Sequence, residues 1–319
     1  MMKKIFVTIF VALFTMGVSM AQDLGQATEL FNNAGTTLME GNETAALDLF
    51  RKAMDMALQL SEEGTAIVTE CKTVIPQLML KLGKDMIRDG NIDDAIVKIK
   101  KAAETATEYE NEGVLLEAND LLAQLKINQL MGVANDLLTA REYAEAYKAY
   151  KDVIAVDPNN ANAYFRMGQA ANAADNTDAA EEAFLKAKEL DESIAENVDR
   201  QLSTVFIKKA VTCQRAKDLK GALENAQKSI EFNDNANAQK IVGLSALGLK
   251  QNAVAAEAFK AYLAMSPEAR DRVQIVYQLG TALVAAGQNG EACGYFKEIA
   301  QDPKWGEAAR YQLTVLKCK

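Results

Sequence analysis

Few side chains in this sequence can do chemistry. It contains no histidine, so it lacks an imidazole base and the commonest protein ligand for zinc. Its four cysteines, Cys71, Cys213, Cys293 and Cys318, form no Cys-x-x-Cys pair. No phosphate loop, dinucleotide fingerprint or nucleophile elbow can be read. Adjacent carboxylates such as Asp93-Asp94 and Glu181-Glu182 would serve as an acid and base in a cleft, but on a helix such runs form solvated faces. The sequence therefore reads as non-catalytic, with no cofactor and no metal.

The elements that carry these residues are helical. Only 4 prolines and 18 glycines occur in 319 residues, and 49% of residues are hydrophobic, a composition that favours packed helices over many-stranded sheet. The chain opens MMKKIFVTIFVALFTMGVSMAQ. Two lysines precede an apolar run from Ile5 to Val18, and Ser19 and Ala21 place small residues where a signal peptidase reads, so an export leader of bacterial type over residues 1–21 is expected, cleaved before Gln22. Its removal leaves 33 basic and 44 acidic residues, a net charge of −11 against −9 for the whole chain. An acidic chain is repelled by phosphate backbones, which argues against a nucleic-acid partner. No apolar run after Val18 is long enough to span a bilayer. The expected address is periplasmic or secreted.

Self-similarity organises the rest. With Ala161 as position 1, a matching stretch begins 34 residues earlier at Ile127: Leu130, Val133, Ala134, Leu137, Ala146, Tyr150 and Val153 fall where Tyr164, Met167, Gly168, Ala171, Ala180, Phe184 and Ala187 fall in the next, and Pro158 closes the earlier stretch. This pattern of large and small residues resembles the tetratricopeptide repeat. The resemblance implies pairs of antiparallel helices in which small residues at positions 8 and 20 let the two backbones approach, while large neighbours interlock. It extends to units starting near Ala27, Pro76, Ser203, Ala236 and Val273, about seven in all. The implied fold is all-α, an α-solenoid of tetratricopeptide-like helix pairs with a C-terminal capping helix. The starts at Ala27, Pro76 and Ile127 are 49 and 51 residues apart, so the first two units carry extra sequence, expected as lengthened helices or an additional helix each. Eight extra residues precede Ser203. The expected divisions are a leader over 1–21, long-spaced repeats over 22–126, a regular array over 127–304 and a cap over 305–319.

In this family the first helix of each unit lines a concave face through positions 2, 5, 6, 9, 12 and 13. Carried onto this sequence, the resemblance implies a binding face containing Asn128, Asn135, Phe165, Arg166, Gln169, Asn172, Ile207, Lys208, Gln214, Arg215, Lys240, Tyr277 and Gln278. Amides there can pair with the backbone of an extended peptide, and Arg or Lys with its carboxylates. Asn135 and Arg166 fall at positions used by the family's carboxylate clamp for chaperone tails, but its other members are not matched, so that ligand is not expected.

Cys213, at position 11 of its unit, is expected in the core, and Cys71 in a packed helix. A turn near Pro303 would bring Cys318 back toward Cys293, as a disulfide or as two free thiols. Asn42-Glu43-Thr44 matches a glycosylation sequon and equally a turn after Gly41. Trp305, the single tryptophan, is expected to pack at the cap. The functional expectation is a scaffold in the cell envelope that binds a protein or extended peptide. Its alternative is a structural subunit of an envelope assembly or secretion complex held by helix-face contacts.

Overall fold

The computed structural model describes residues 22–318, and the expected leader lies outside them. Contacts divide the chain into two compact units, one reaching Gln129 and the other running from Leu130. The first holds α1 (Gln22–Met39), α2 (Glu43–Leu58), α3 (Thr65–Arg88), α4 (Ile92–Glu108) and the N-terminal part of α5 (Glu112–Thr139). The second holds the remainder of α5 with α6 (Tyr143–Val156), α7 (Ala161–Ala173), α8 (Thr177–Leu190), α9 (Ala195–Arg215), α10 (Leu219–Phe232), α11 (Ala236–Gly248), α12 (Asn252–Met265), α13 (Arg272–Ala285), α14 (Asn289–Glu298) and α15 (Gly306–Val315). These are fifteen α-helices among the described residues, each packed chiefly on its neighbours in sequence. None of them is long and apolar enough to cross a membrane.

Local sequence sets each helix pair. Asn160 caps α7 by accepting from the Ala163 amide at 2.9 Å, and Asn176 and Asp218 cap α8 and α10 in the same way. Such caps satisfy donors that the first helical turn leaves open. Asn42 caps α2 through the Ala45 amide, so the sequon asparagine serves the turn. The reversal between the two helices of a pair always uses one left-handed residue at position 15 of the unit: Gly41, Gly90, Arg141, Asp175, Lys217, Lys250 and Gly287. Behind it the chain closes on the preceding helix, as where the Asn176 amide donates to the Ala171 carbonyl at 2.9 Å, the Schellman arrangement that ends a helix.

The crossing of paired helices depends on position 8. A Cβ added to Gly168 would lie 2.8 Å from the Phe184 ring, at Gly243 it would lie 2.5 Å from Phe259, and at Gly280 2.7 Å from Phe296. All three rings are fully buried, as are Ala180 and Ala187. The missing side chain thus makes room for a ring from the partner helix. In the first unit Gly83 faces Ile99 in the same manner.

The long-spaced units contain longer helices and no additional ones. Pro76 lies inside the 24-residue α3, and Ile127 inside the 28-residue α5, instead of starting helices. Ile67, Cys71, Val74, Ile75 and Leu78 are buried, and this apolar stripe extends α3 upstream of Pro76. The residues before Ser203 form a 3₁₀ turn, Glu192–Ile194, and the first turns of α9. Cys213 is half-buried, not in the core, while Cys71 is buried. The Cys71 thiol donates to the Phe50 carbonyl at 3.4 Å, and burial pushes its pKa up to about 12.

At the C-terminal end Cys293 of α14 and Cys318 are joined in a disulfide, with Cα atoms 5.7 Å apart. Trp305 packs at a tilt against Tyr277 with ring centroids 4.9 Å apart, and Tyr277 packs edge-on to Phe296 at 5.7 Å. The last helix is thereby fixed to both members of the preceding pair.

Candidate binding face

Within the second unit the first helices of successive pairs, α7, α9 and α11, approach one another directly. Lys208 on α9 reaches back to α7, donating to the Asn172 carbonyl at 2.6 Å and to Asp175 at 2.8 Å. That contact, chiefly the hydrogen bond and then the ammonium's field, holds the Asp175 carboxyl below its ordinary pKa. Lys208 was expected to face the channel freely and is instead a tie between repeats. Lys240 on α11 is likewise ion-paired with Asp271 and sits over the Tyr262 ring at 5.7 Å. Burial works against the Asp271 charge, but Lys240 and the Tyr262 hydroxyl, which donates at 2.6 Å, hold its carboxyl below the usual value.

The remaining residues of the expected face separate into three groups. Some are already used. The Asn135 amide oxygen accepts from the Tyr150 hydroxyl at 2.7 Å, satisfying a fully buried tyrosine. Phe165 packs edge-on to Phe184, ring centroids 5.6 Å apart, and Tyr277 belongs to the cap. Others are open to solvent. Arg166 is exposed and donates to Gln169 at 3.3 Å, and it has no ion pair. Arg215 is exposed and unpaired, and Gln169 and Gln214 are half-buried. Asn128 is exposed but belongs to the first unit. The third group is the most informative. The side-chain oxygens of Asn172 and Gln278 are buried without a hydrogen-bond partner, and a buried amide oxygen left unpaired costs free energy unless something else supplies an N–H.

Half-buried apolar residues share the same register on the later helices: Val211 on α9, Leu244 and Leu247 on α11, and Val284 on α13. The sequence reading included Phe165, Ile207 and Tyr277 but passed over these four, although face positions 9 and 12 carry them. It also passed over the inter-repeat ion pairs. Their signal was an opposite charge roughly one repeat away, as in Lys208 and Asp175, Lys240 and Asp271, or Lys260 and Glu291.

Charge is sorted between the two helices of each pair. In the second unit α7, α11 and α13 hold no carboxylate, and α7, α9, α11 and α13 together hold seven Lys or Arg against two acids. The second helices, α6, α8, α10, α12 and α14, hold eight against eleven. Of the two acids on first helices, Asp199 is taken by Lys188 at 2.7 Å.

A different surface lies on the side of the second helices. A groove of about 760 Å³ runs between α6 and α8 over α7, its lining including Tyr147, Tyr164, Met167 and Leu185 together with the charged Lys151 and Glu182. Leu185 is 44% exposed there.

Residues 134–193 and 242–308 match the tetratricopeptide repeat family model. Both stretches carry tetratricopeptide repeats. The first match begins at Ala134, position 8 of its unit, and ends just past α8. The second runs from α11 into α15. No curated protein matches the chain. Among solved structures, a crystal structure of MamA protein is 22% identical over 58% of this chain and 94% of its own, with a TM-score of 0.39. YrrB, described as a TPR protein with an unusual peptide-binding site, is 18% identical over 57% and 90%, with a TM-score of 0.37. Pseudomonas aeruginosa PilF is 17% identical over 75% and 97%, with a TM-score of 0.34.

Proposed function

We propose that this tetratricopeptide-repeat chain is a non-catalytic scaffold that binds a protein or extended peptide on the first-helix face of its second unit. The observation that carries this reading is the reversal of charge. A chain of net charge −9 keeps carboxylates off three of the four first helices α7, α9, α11 and α13, and leaves Arg166 and Arg215 exposed there without ion pairs. The other five cations of these helices are spent on ion pairs within the chain, and the two left over suit a partner bearing carboxylates. We further propose that the protein is exported to the cell envelope, periplasmic or secreted. The leader-like residues 1–21 support that address, as does the Cys293–Cys318 disulfide, since such bonds persist in oxidising compartments. Nucleic acid is not the proposed partner, because the chain as a whole is acidic.

The groove between α6 and α8 favours a second reading, a structural subunit that packs through its second-helix side. A photo-reactive residue placed at Gln169 or at Leu185 distinguishes them in native envelope extracts. The scaffold reading expects a cross-linked partner from Gln169, lost when Arg166 and Arg215 are both changed to Glu. Cross-links confined to Leu185 would replace it with the subunit reading.

A further inference from the structure

The first-helix face is not uniform along the second unit, and its gradient specifies what it fits. At the α7–α9 end the available groups are Arg166, Gln169, Gln214 and Arg215. Neither arginine has an ion pair; the nearby acids Asp199 and Asp175 are bound to Lys188 and Lys208, and Arg215 adds its field to that of Lys208 at Asp175. At the α11–α13 end the corresponding positions hold Leu244, Leu247 and Val284, all half-buried. The cations there, Lys240 and Arg272, are ion-paired with Asp271 and Glu298. An orphaned amide oxygen stands in each half, Asn172 on α7 and Gln278 on α13.

We infer that the occupant is a two-part extended segment of a partner protein. Its carboxylate side chains lie over α7 and α9, and its aliphatic or aromatic side chains lie over α11 and α13. This rests on the scaffold reading and goes further by assigning each half of the face its own chemistry. A free acidic segment would satisfy Arg166 and Arg215 but leave the apolar end wet. An all-apolar segment would leave two arginines without counter-charge. A chain segment with both parts meets both ends. Packed helices lie about 8–10 Å apart, so four successive first helices span on the order of 25–30 Å. At about 3.3 Å per residue that is roughly eight or nine residues of extended chain.

The test uses two fluorescent peptides of about twelve residues, long enough to cover that span. Both have the same composition of Asp, Glu, Leu, Phe and Ser. In one the acids occupy the first third and the apolar residues the last third, and in the other they alternate. Binding is followed by anisotropy with the oxidised protein. The segregated peptide is expected to bind at least about tenfold more tightly than the alternating one. Arg166→Glu with Arg215→Glu should remove that advantage and flatten the dependence on salt. Leu247→Ser should remove it while leaving the salt dependence in place. Thr281→Glu should do the same, and this second variant lies at an exposed position of α13, so it tests the apolar end without touching the core. Equal affinity for the two peptides overturns the inference, as does indifference to both Leu247→Ser and Thr281→Glu. If neither peptide binds while Gln169 still cross-links a partner, the two-part assignment fails and the scaffold reading stands. If the cross-link is absent too, both fall.

Discussion

Gly243→Ala measures how closely the helix pairs are fitted. The added methyl would lie 2.5 Å from both Cδ1 and Cε1 of Phe259, and 3.0 Å from its Cζ. Ordinary contact needs about 3.4–4 Å, so the ring or the helix must move by about an ångström. Phe259 is fully buried, in a cluster with Ile241, Val242, Ala255 and Tyr262, so no solvent-facing motion relieves it. Overpacking of this kind costs about 1–3 kcal/mol. Alanine recovers about 0.8–1.0 kcal/mol over glycine in a helix interior, so the net loss reaches about 2 kcal/mol. The comparison that isolates the cause is Gly132→Ala. Gly132 is also helical, but nothing lies within 4 Å of its missing Cβ, and the same substitution there should stabilise by up to about 1 kcal/mol. Urea unfolding followed by circular dichroism reads both. Phe259→Leu combined with Gly243→Ala should lose less than the sum of the single changes, a coupling of about 0.5–3 kcal/mol expected for touching residues. Equal stabilisation by alanine at Gly243 and Gly132 would refute the argument that the crossing is set by the absent side chain.

Three further outcomes follow from the geometry. Lys81 bridges Glu43 at 2.6 Å and Asp85 at 2.8 Å, and its hydrogen bonds hold both carboxyls below their ordinary values. The resulting stability is present above the unfolded carboxylate range near pH 4 and is lost as pH falls through the depressed native values. Glu43→Gln with Asp85→Asn should therefore flatten the acid limb of first-unit stability, and an unchanged limb would show the bridge to be idle. Burial keeps the Cys71 thiol protonated, so iodoacetamide at neutral pH should label half-buried Cys213 and reach Cys71 only after unfolding; rapid native labelling of Cys71, read by peptide mass, would contradict its burial. Replacing both Cys293 and Cys318 with Ser opens a loop spanning 25 residues. It should lower the stability of the oxidised second unit by about 3 kcal/mol on the loop-entropy estimate, whereas equal denaturation midpoints would assign the bond no stabilising role.

The repeat register was readable because steric fit leaves a periodic trace. Gly168 with Phe184 and Gly280 with Phe296 recur at one spacing because one crossing geometry recurs. The extents of α3 and α5 were harder, since Pro76 looks like a start. Only the buried stripe from Ile67 to Leu78 shows the helix running through it. Cys213 was misplaced because position 11 is buried in neighbouring units, at Ala171, Ala246 and Leu283, whereas here its sulfur looks toward Gly221 and Asn225. The face was legible as a set of positions but not as a set of available groups. Nothing in the local sequence says that Asn135 is spent on the Tyr150 hydroxyl or Lys208 on the end of α7. Those contacts depend on three-dimensional neighbours 15 and 36 residues away. The orphaned oxygens of Asn172 and Gln278 are invisible to sequence for the same reason, because lacking a partner is a property of the packed surroundings.

The bond between Cys293 and Cys318 alters how this end of the fold bears mechanical load. A stacked array of helix pairs normally peels from its ends, one element at a time, because a terminal element has a neighbour on one side only. Here tension applied at the carboxyl terminus enters at Cys318 and passes through sulfur directly into α14. It bypasses α15, which hangs as an unloaded loop between the two anchor points. The first element to feel the pull is then a helix whose Phe296 is locked behind Gly280. In the oxidised protein the smallest piece that can be torn away is α14 and α15 together, and reduction restores the weaker, stepwise route that begins with α15 alone.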